Sequence, residues 1–143
     1  MIKGVYLNEM TDDCEQAIMI QKKVFGNDYK DEISGNNDHM PILHILLYGN
    51  EMQPVGSARM TFGLDGTFLF DQLAVLPEEQ HQGYGDFMMH MIFDKCQLGQ
   101  GVFLKSEDIY HQPEYFKQYG FEIKEDHMIL NMKDYFLNHQ CKH

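Results

Sequence analysis

The sequence predicts an α/β (α+β) domain, and three observations carry that prediction. The stretch from Phe68 to Phe93, FLFDQLAVLPEEQHQGYGDFMMHMIF, reads as buried strand, polar hinge and amphipathic helix. Its strand part, Phe68 to Leu76, is apolar and β-prone except at Asp71 and Gln72. Pro77 stops that strand, because proline has no N–H to give a ladder. Two turns, Gly49-Asn50-Glu51 and Leu64-Asp65-Gly66, separate β-prone runs and predict hairpins. Finally, 143 residues make a single domain, 1–143, long enough to bury about two thirds of its unfolded surface.

Taken from the N-terminus, Ile2 to Leu7 alternates as a short strand. Thr11-Asp12-Asp13 predicts a helix start, with Thr11 capping main-chain N–H groups and the acids favouring the dipole. That helix carries Ala17, Ile18, Ile20, Val24 and Phe25, and Gly26-Asn27 ends it. Residues 28 to 40 are polar and include Gly35-Asn36-Asn37-Asp38, the composition of a loop or a short helix. Ile42 to Tyr48 is a strand apolar on both faces apart from His44, and Pro54 to Phe62 returns beside it. In the helix after the hinge, Phe87, Met88, Met91, Ile92 and Cys96 form the expected core stripe. Val102-Phe103-Leu104 is a buried strand, and Glu114 to Tyr119 is one or two helical turns. Phe121-Glu122-Ile123 and His127 to Met132 form a last hairpin. The tail His139-Gln140-Cys141-Lys142-His143 has metal-ligand residue types but sits where chains fray, so no metal site is expected.

Charge narrows the function classes. Acidic residues number 22 against 11 basic ones, for a net charge of −11. Nucleic acid is an unfavourable partner, since phosphate contacts need clustered Lys and Arg. The acidic surface would serve solubility, or alternatively would attract a cationic amine by long-range steering. No apolar run approaches the roughly twenty residues of a membrane span, and no signal-peptide pattern opens the chain, so no membrane partner is expected. Cys14, Cys96 and Cys141 are odd in number and unevenly spaced, which predicts free thiols and a cytoplasmic location. Cys96 lies on the helix's apolar stripe and reads as core filler rather than a nucleophile.

The hinge Gln80-His81-Gln82-Gly83-Tyr84-Gly85 is the chemically suggestive segment. At a helix start the first N–H groups are unpaired and the dipole adds roughly half a positive charge, so an anion such as a phosphate fits. Glycine lets a ligand approach the main chain closely. An ordinary β–α turn would use the same glycines. A dinucleotide turn would need G-x-G-x-x-G, and counting from Gly83 puts Met88 at the third glycine.

Val75-Leu76-Pro77-Glu78-Glu79-Gln80-His81-Gln82-Gly83-Tyr84-Gly85 resembles the acyl-CoA signature V-x-P-x-x-[R/Q]-x-x-G-x-[G/A] of the GNAT N-acyltransferase superfamily. Downstream, Glu114-Tyr115-Phe116-Lys117-Gln118-Tyr119-Gly120-Phe121 resembles that family's F-Y-x-x-x-G-F segment. Gln53-Pro54-Val55-Gly56-Ser57-Ala58 is similar to its P-V-G-x-A third strand. The resemblance implies a GNAT-like acyl-CoA N-acyltransferase fold, with a mixed, mostly antiparallel sheet of six to seven strands and about four helices. It implies transfer of an acyl group, usually acetyl, from acetyl-CoA to a primary amine of a small molecule or peptide by direct attack.

The same resemblance places coenzyme A. Its pyrophosphate would rest on the N–H groups of Gln82, Gly83, Tyr84 and Gly85, with Gln80, His81 and Asp86 adjoining. Its pantetheine arm would pair with the strand edge at Leu73, Ala74 and Val75, where one N–H would hold the oxyanion. Phe116 would border the arm, and Lys105 and Lys117 would be the nearest cations for the 3′-phosphate.

A lysine-like amine with a pKa near 10.4 is only about one part in a thousand free at pH 7, so a base helps. Asp71 is the candidate base, and the alternative is a pair with Arg59, the chain's only arginine. The family's proton-donating tyrosine falls on Phe116, which has none to give. Tyr119 is the candidate donor under a shifted alignment, and Tyr110 or Tyr84 could reach in from elsewhere. Gln80 stands where arginine is commoner and His81 where glycine is common. These departures support an alternative reading, a catalytically weak or silent CoA-binding or regulatory module. A homodimer is expected by analogy alone.

Overall fold

The computed structural model describes residues 1–108 and 112–140, with side chains as far as 137. Tyr110 and the tail residues Cys141, Lys142 and His143 lie outside the described residues, as do the side chains of His139 and Gln140. The elements run β1 (Lys3–Asn8), α1 (Glu15–Phe25), β2 (Leu43–Tyr48), β3 (Pro54–Phe62), β4 (Thr67–Val75), α2 (Tyr84–Leu98), β5 (Phe103–Ser106), α3 (Pro113–Lys117), β6 (Glu122–Ile123), β7 (Met128–Asn131) and α4 (Met132–Gln140). They build one seven-stranded sheet in the order β1-β2-β3-β4-β5-β7-β6. Every pairing is antiparallel except β4 with β5. Among the described residues no helix is long and apolar enough to cross a membrane.

Strand alternation explains why both sheet faces are covered. On β2, Ile45 and Leu47 pack in the larger core with Met88 and Ile92 of α2, while Leu46 packs with Ala17 and Ile20 of α1. Successive side chains point to opposite faces, so one apolar strand serves two layers. Gly56 of β3 fits the same logic. A Cβ there would stand 2.8 Å from the Met88 methyl and 3.0 Å from the Ala74 carbonyl, so glycine lets α2 settle onto β3.

Four sequence expectations are corrected. Thr11 does not cap α1. The N–H groups of Thr11 and Asp12 bond to the Asn8 carbonyl, the Asp12 carboxylate takes the Asn8 N–H at 2.8 Å, and the helix begins only at Glu15. Asp side chains offered the backbone a turn that competes with the helix. Phe87 is 38% exposed rather than core, whereas Tyr84, Met89 and Phe93 are buried. The buried arc of α2 is wider than one stripe because the chain's C-terminal part also covers it: Phe93 meets Tyr135 of α4 at 4.4 Å between ring centroids. Helix α4 takes in Met132, which the sequence predicts as the end of a strand, and runs into the predicted tail at His139. Val102 is exposed, and β5 starts one residue later.

What positions the site is a split in the sheet. Among the described residues strand β4 pairs with β5 at Thr67–Phe103, Phe68–Leu104 and Leu69–Lys105, and from Phe70 to Val75 its edge toward β5 has no partner strand. On the other edge the register with β3 shifts between Ser57 and Arg59, so Gln72 and Leu73 face the single residue Ala58. Gln72 sits at the bulge with φ of +49°, an αL conformation uncommon for a residue with a side chain.

Candidate active site

The split between β4 and β5 opens a cavity of about 790 Å³, bounded by the end of α1, β4, the hinge, the start of α2, β5 and α3. The residue types explain its shape. Glu78 and Glu79 follow Pro77 in a single 3-10 turn, and Gly83 takes φ of +84°, which releases the chain into α2. A Cβ on Gly83 would meet nothing within 4 Å, so backbone conformation alone calls for glycine. Gly85 answers a different demand, since a Cβ there would stand 3.1 Å from the Tyr115 hydroxyl. His81 and Gln112 also line the cavity with positive φ, of +67° and +54°.

Main-chain donors gather at the hinge. Among the described residues no protein acceptor takes the N–H of Gln80, His81, Gln82 or Gly83. Those of Tyr84, Gly85 and Asp86 are the first three of α2, and the ladder begins with Phe87 bonding to Gly83. The Gln80 side chain turns back instead, donating to the Val75 carbonyl at 3.4 Å. Leu73 and Val75 are half-buried on the cavity wall, while Ala74 is buried toward α1.

Asp71 is buried and held at both oxygens. Arg59 donates from Nε to Oδ1 at 2.6 Å and from Nη2 to Oδ2 at 3.0 Å. The ion pair offered as the alternative to a base is therefore formed, and the antiparallel register puts the two residues opposite each other. Burial pushes the Asp71 carboxyl up, its bonds to Arg59 and the guanidinium charge pull it down, and Asp108 pushes it up again. Each oxygen keeps a lone pair beyond the guanidinium.

Aromatic residues close the opposite wall. Phe116 lines the cavity and packs on Phe70 at 5.7 Å and on Phe121 at 5.9 Å. Tyr115 also lines the cavity, and its hydroxyl lies 3.0 Å from that of Tyr119. Tyr119 itself does not line the cavity; it follows the end of α3 and donates to Asp86 Oδ1 at 2.5 Å. With that proton committed, the Tyr115 hydroxyl is the donor to Tyr119. Burial, then the bond to Asp86, drives the Tyr119 phenol far above its ordinary range. Direct proton delivery by Tyr119 does not fit this placement.

The expected cations are elsewhere. Lys105 and Lys117 do not line the cavity, and Lys117 pairs with Glu114 at 2.9 Å. Among the described lining residues there is no lysine or arginine, while Asp28, Asp71, Asp86 and Asp108 are all present. Buried Cys96 has its thiol pushed up to about 12 by burial, which suits packing and not attack. No group of three or more His, Cys, Asp or Glu side chains among the described residues could hold a metal ion.

Comparison with known proteins bears on the same segment. A family model for the acetyltransferase (GNAT) domain matches residues 41–123. No curated protein matches the sequence. Among solved structures, a GNAT-family acetyltransferase from Staphylococcus aureus is similar at a TM-score of 0.68 and 13% identity, over 92% of this chain and 99% of that one. The ribosomal-protein-S18-alanine N-acetyltransferase of Escherichia coli gives 0.68 and 17%, over 92% and 94%. The N-acetylglutamate synthase of Neisseria gonorrhoeae, solved with coenzyme A and L-arginine, gives 0.63 and 18%, over 91% of this chain and 33% of that one. At such identities these structures share the fold.

Proposed function

Since the chain belongs to the GNAT acetyltransferase family, we propose that it transfers an acetyl group from acetyl-CoA to a primary amine. The observation that carries this reading is the coincidence on one cavity of two backbone surfaces that no strand or helix ladder takes up among the described residues, although the Gln80 side chain reaches the Val75 carbonyl. One is the run of N–H groups from Gln80 to Asp86, and the other is the β4 edge from Phe70 to Val75. A diphosphate needs the first and an extended amide arm needs the second.

In this reading the amine nitrogen attacks the thioester carbonyl, and an N–H of the β4 edge holds the oxygen as it gains charge. The amine proton passes through water to Asp71, whose position is fixed by Arg59. The C–S bond breaks and the thiolate takes up a proton to leave as free CoA. A thiol pKa near 8.5 makes departure easy without an acid. Among the described residues Tyr84 and Tyr115 are the phenols on the cavity wall; the Tyr84 hydroxyl donates to Gln82 Oε1, and Tyr119 fixes that of Tyr115.

Phe116 favours a second reading, a CoA-binding module without efficient turnover, because a buried phenyl stands where a phenol would donate. Calorimetry with acetyl-CoA and a thiol-release assay over an amine panel separate the two. Binding with amine-dependent release of free thiol is the expected result. Binding without release would establish the silent module, and absence of binding would overturn both.

A further inference from the structure

Strand β4 breaks its own alternation at the split. Phe70, Leu73 and Val75 pack with the larger core under α2, while Ala74 packs with α1. Asp71 shares the α1 side, since its partner Arg59 also bonds the carbonyls of Asp31 and Glu32 in the segment after α1. Gln72 is thus the inserted residue, the one that a period of two cannot place. The insertion brings three consecutive residues, Asp71, Gln72 and Leu73, to one cavity.

Gln72 combines two unfavourable features at that point. Its φ of +49° is an αL conformation that a glutamine rarely adopts. The residue is 4% exposed, and its Oε1 has no hydrogen-bond partner among the described residues. A buried acceptor without a donor is a cost that native proteins seldom keep. A strained residue with an unsatisfied oxygen on a cavity wall points to a guest that brings the donor.

The chemistry of acyl transfer says which N–H this is. Diphosphate and thioester oxygens are acceptors and cannot serve. The amides of the CoA arm are matched, in the reading above, by the main chain of the β4 edge. The attacking amine remains. A primary amine attacks with one lone pair and two N–H bonds. The lone pair forms the new C–N bond as the C–S bond breaks; one proton leaves through water to Asp71, and the thiolate takes up a proton. The other hydrogen stays on nitrogen and becomes the amide N–H of the product.

We propose that Gln72 Oε1 accepts this retained N–H, aiming the lone pair at the thioester and selecting primary over secondary amines. The proposal rests on the acyl-transfer reading and adds to it a residue and the class of nitrogen that the residue admits. A secondary amine has a single N–H, which must leave, so it would leave Gln72 Oε1 unsatisfied.

The test uses the full chain and initial rates of thiol release from acetyl-CoA. Its probes are benzylamine with N-methylbenzylamine and, likewise, the most active amine of the panel with its N-methyl derivative. Wild-type protein is expected to favour each primary amine in kcat/KM by about tenfold or more. Gln72→Met, similar in shape and without the carbonyl, should reduce that preference about tenfold, equivalent to about 1.4 kcal/mol, through loss on the primary amine. The preference is a ratio within one preparation, so partial unfolding does not mimic its loss. Equal rates for the two members of each pair, or a preference that Gln72→Met leaves intact, would overturn the proposal while leaving acyl transfer standing. A second measurement needs no variant. In a crystal of the full chain with the conjugate CoA–S–CH2–CO–NH–benzyl, the conjugate nitrogen should lie within about 3.2 Å of Gln72 Oε1. A separation beyond about 4 Å, or Gln72 bonded to an amide of the pantetheine arm instead, would also overturn the assignment. Absence of thiol release with every primary amine would remove the acyl-transfer reading and this proposal together.

Discussion

Arg59 donates to four acceptors: both Asp71 oxygens and the main-chain carbonyls of Asp31 and Glu32, at 3.2 and 3.1 Å. A guanidinium fork suits this, where a lysine would offer one compact charge. Asp71→Asn tests two roles at once. Leaving the Arg59 charge without its partner should cost about 3–5 kcal/mol, read by denaturant unfolding. If Asp71 is also the base, acetyl transfer at pH 7 should fall about a hundredfold and recover toward pH 10, where the amine is already free. Undiminished turnover at pH 7 would remove Asp71 from the mechanism. The pairing was legible in the sequence, because hairpin register alone set Arg59 opposite Asp71 or Gln72. Which of the two it chose depended on the bulge, and a bulge is a property of two strands together.

At the scale of elements, the hinge was the most readable part of the chain. Strand, proline stop, glycines and amphipathic helix are local signals, and the structure keeps them within a residue or two. The two glycines differ in kind, and that the sequence did not disclose. Gly83→Ala forces alanine into φ of +84°, at about 1–2 kcal/mol. It should also turn the neighbouring N–H groups and weaken acetyl-CoA about tenfold by calorimetry, with the fold intact by circular dichroism. Unchanged affinity would mean that the αL turn does not aim those donors. Helix α4 was illegible for the opposite reason. Its burial comes from Met132 and from Tyr135 meeting Phe93, a contact made across 42 positions of chain, so its own polar pattern carries little signal. The capping expectation at Thr11 failed locally, because Asp12 and Asn8 closed a turn first.

For the whole molecule, a polar chain links three elements on the α1 face and ends at the exposed Glu9. Gln21 of α1 donates to Ser57 of β3 at 2.8 Å and to His44 Nδ1 of β2 at 3.1 Å, which leaves His44 Nε2–H facing Glu9, beyond β1, at 3.4 Å. Burial lowers the His44 pKa, Glu9 opposes that, and Arg59 adds to it. The unfolded chain therefore binds a proton that the folded one resists. Stability is fully present above the ordinary histidine value near 6.5 and declines as pH falls below it. The urea midpoint should drop between pH 7 and pH 5, and His44→Gln should flatten that slope; equal slopes would exclude His44 as the cause. The cavity lining also belongs to this scale. Asp28, Gln72 and Asp108 come from three separate stretches, and closure of the sheet brings them to one cavity. The same closure has a consequence at Arg59, whose hold on the Asp31 and Glu32 carbonyls fastens the segment beyond α1 to the central strand. That flank is preorganised, so an incoming guest would forfeit little affinity to freezing a floppy loop.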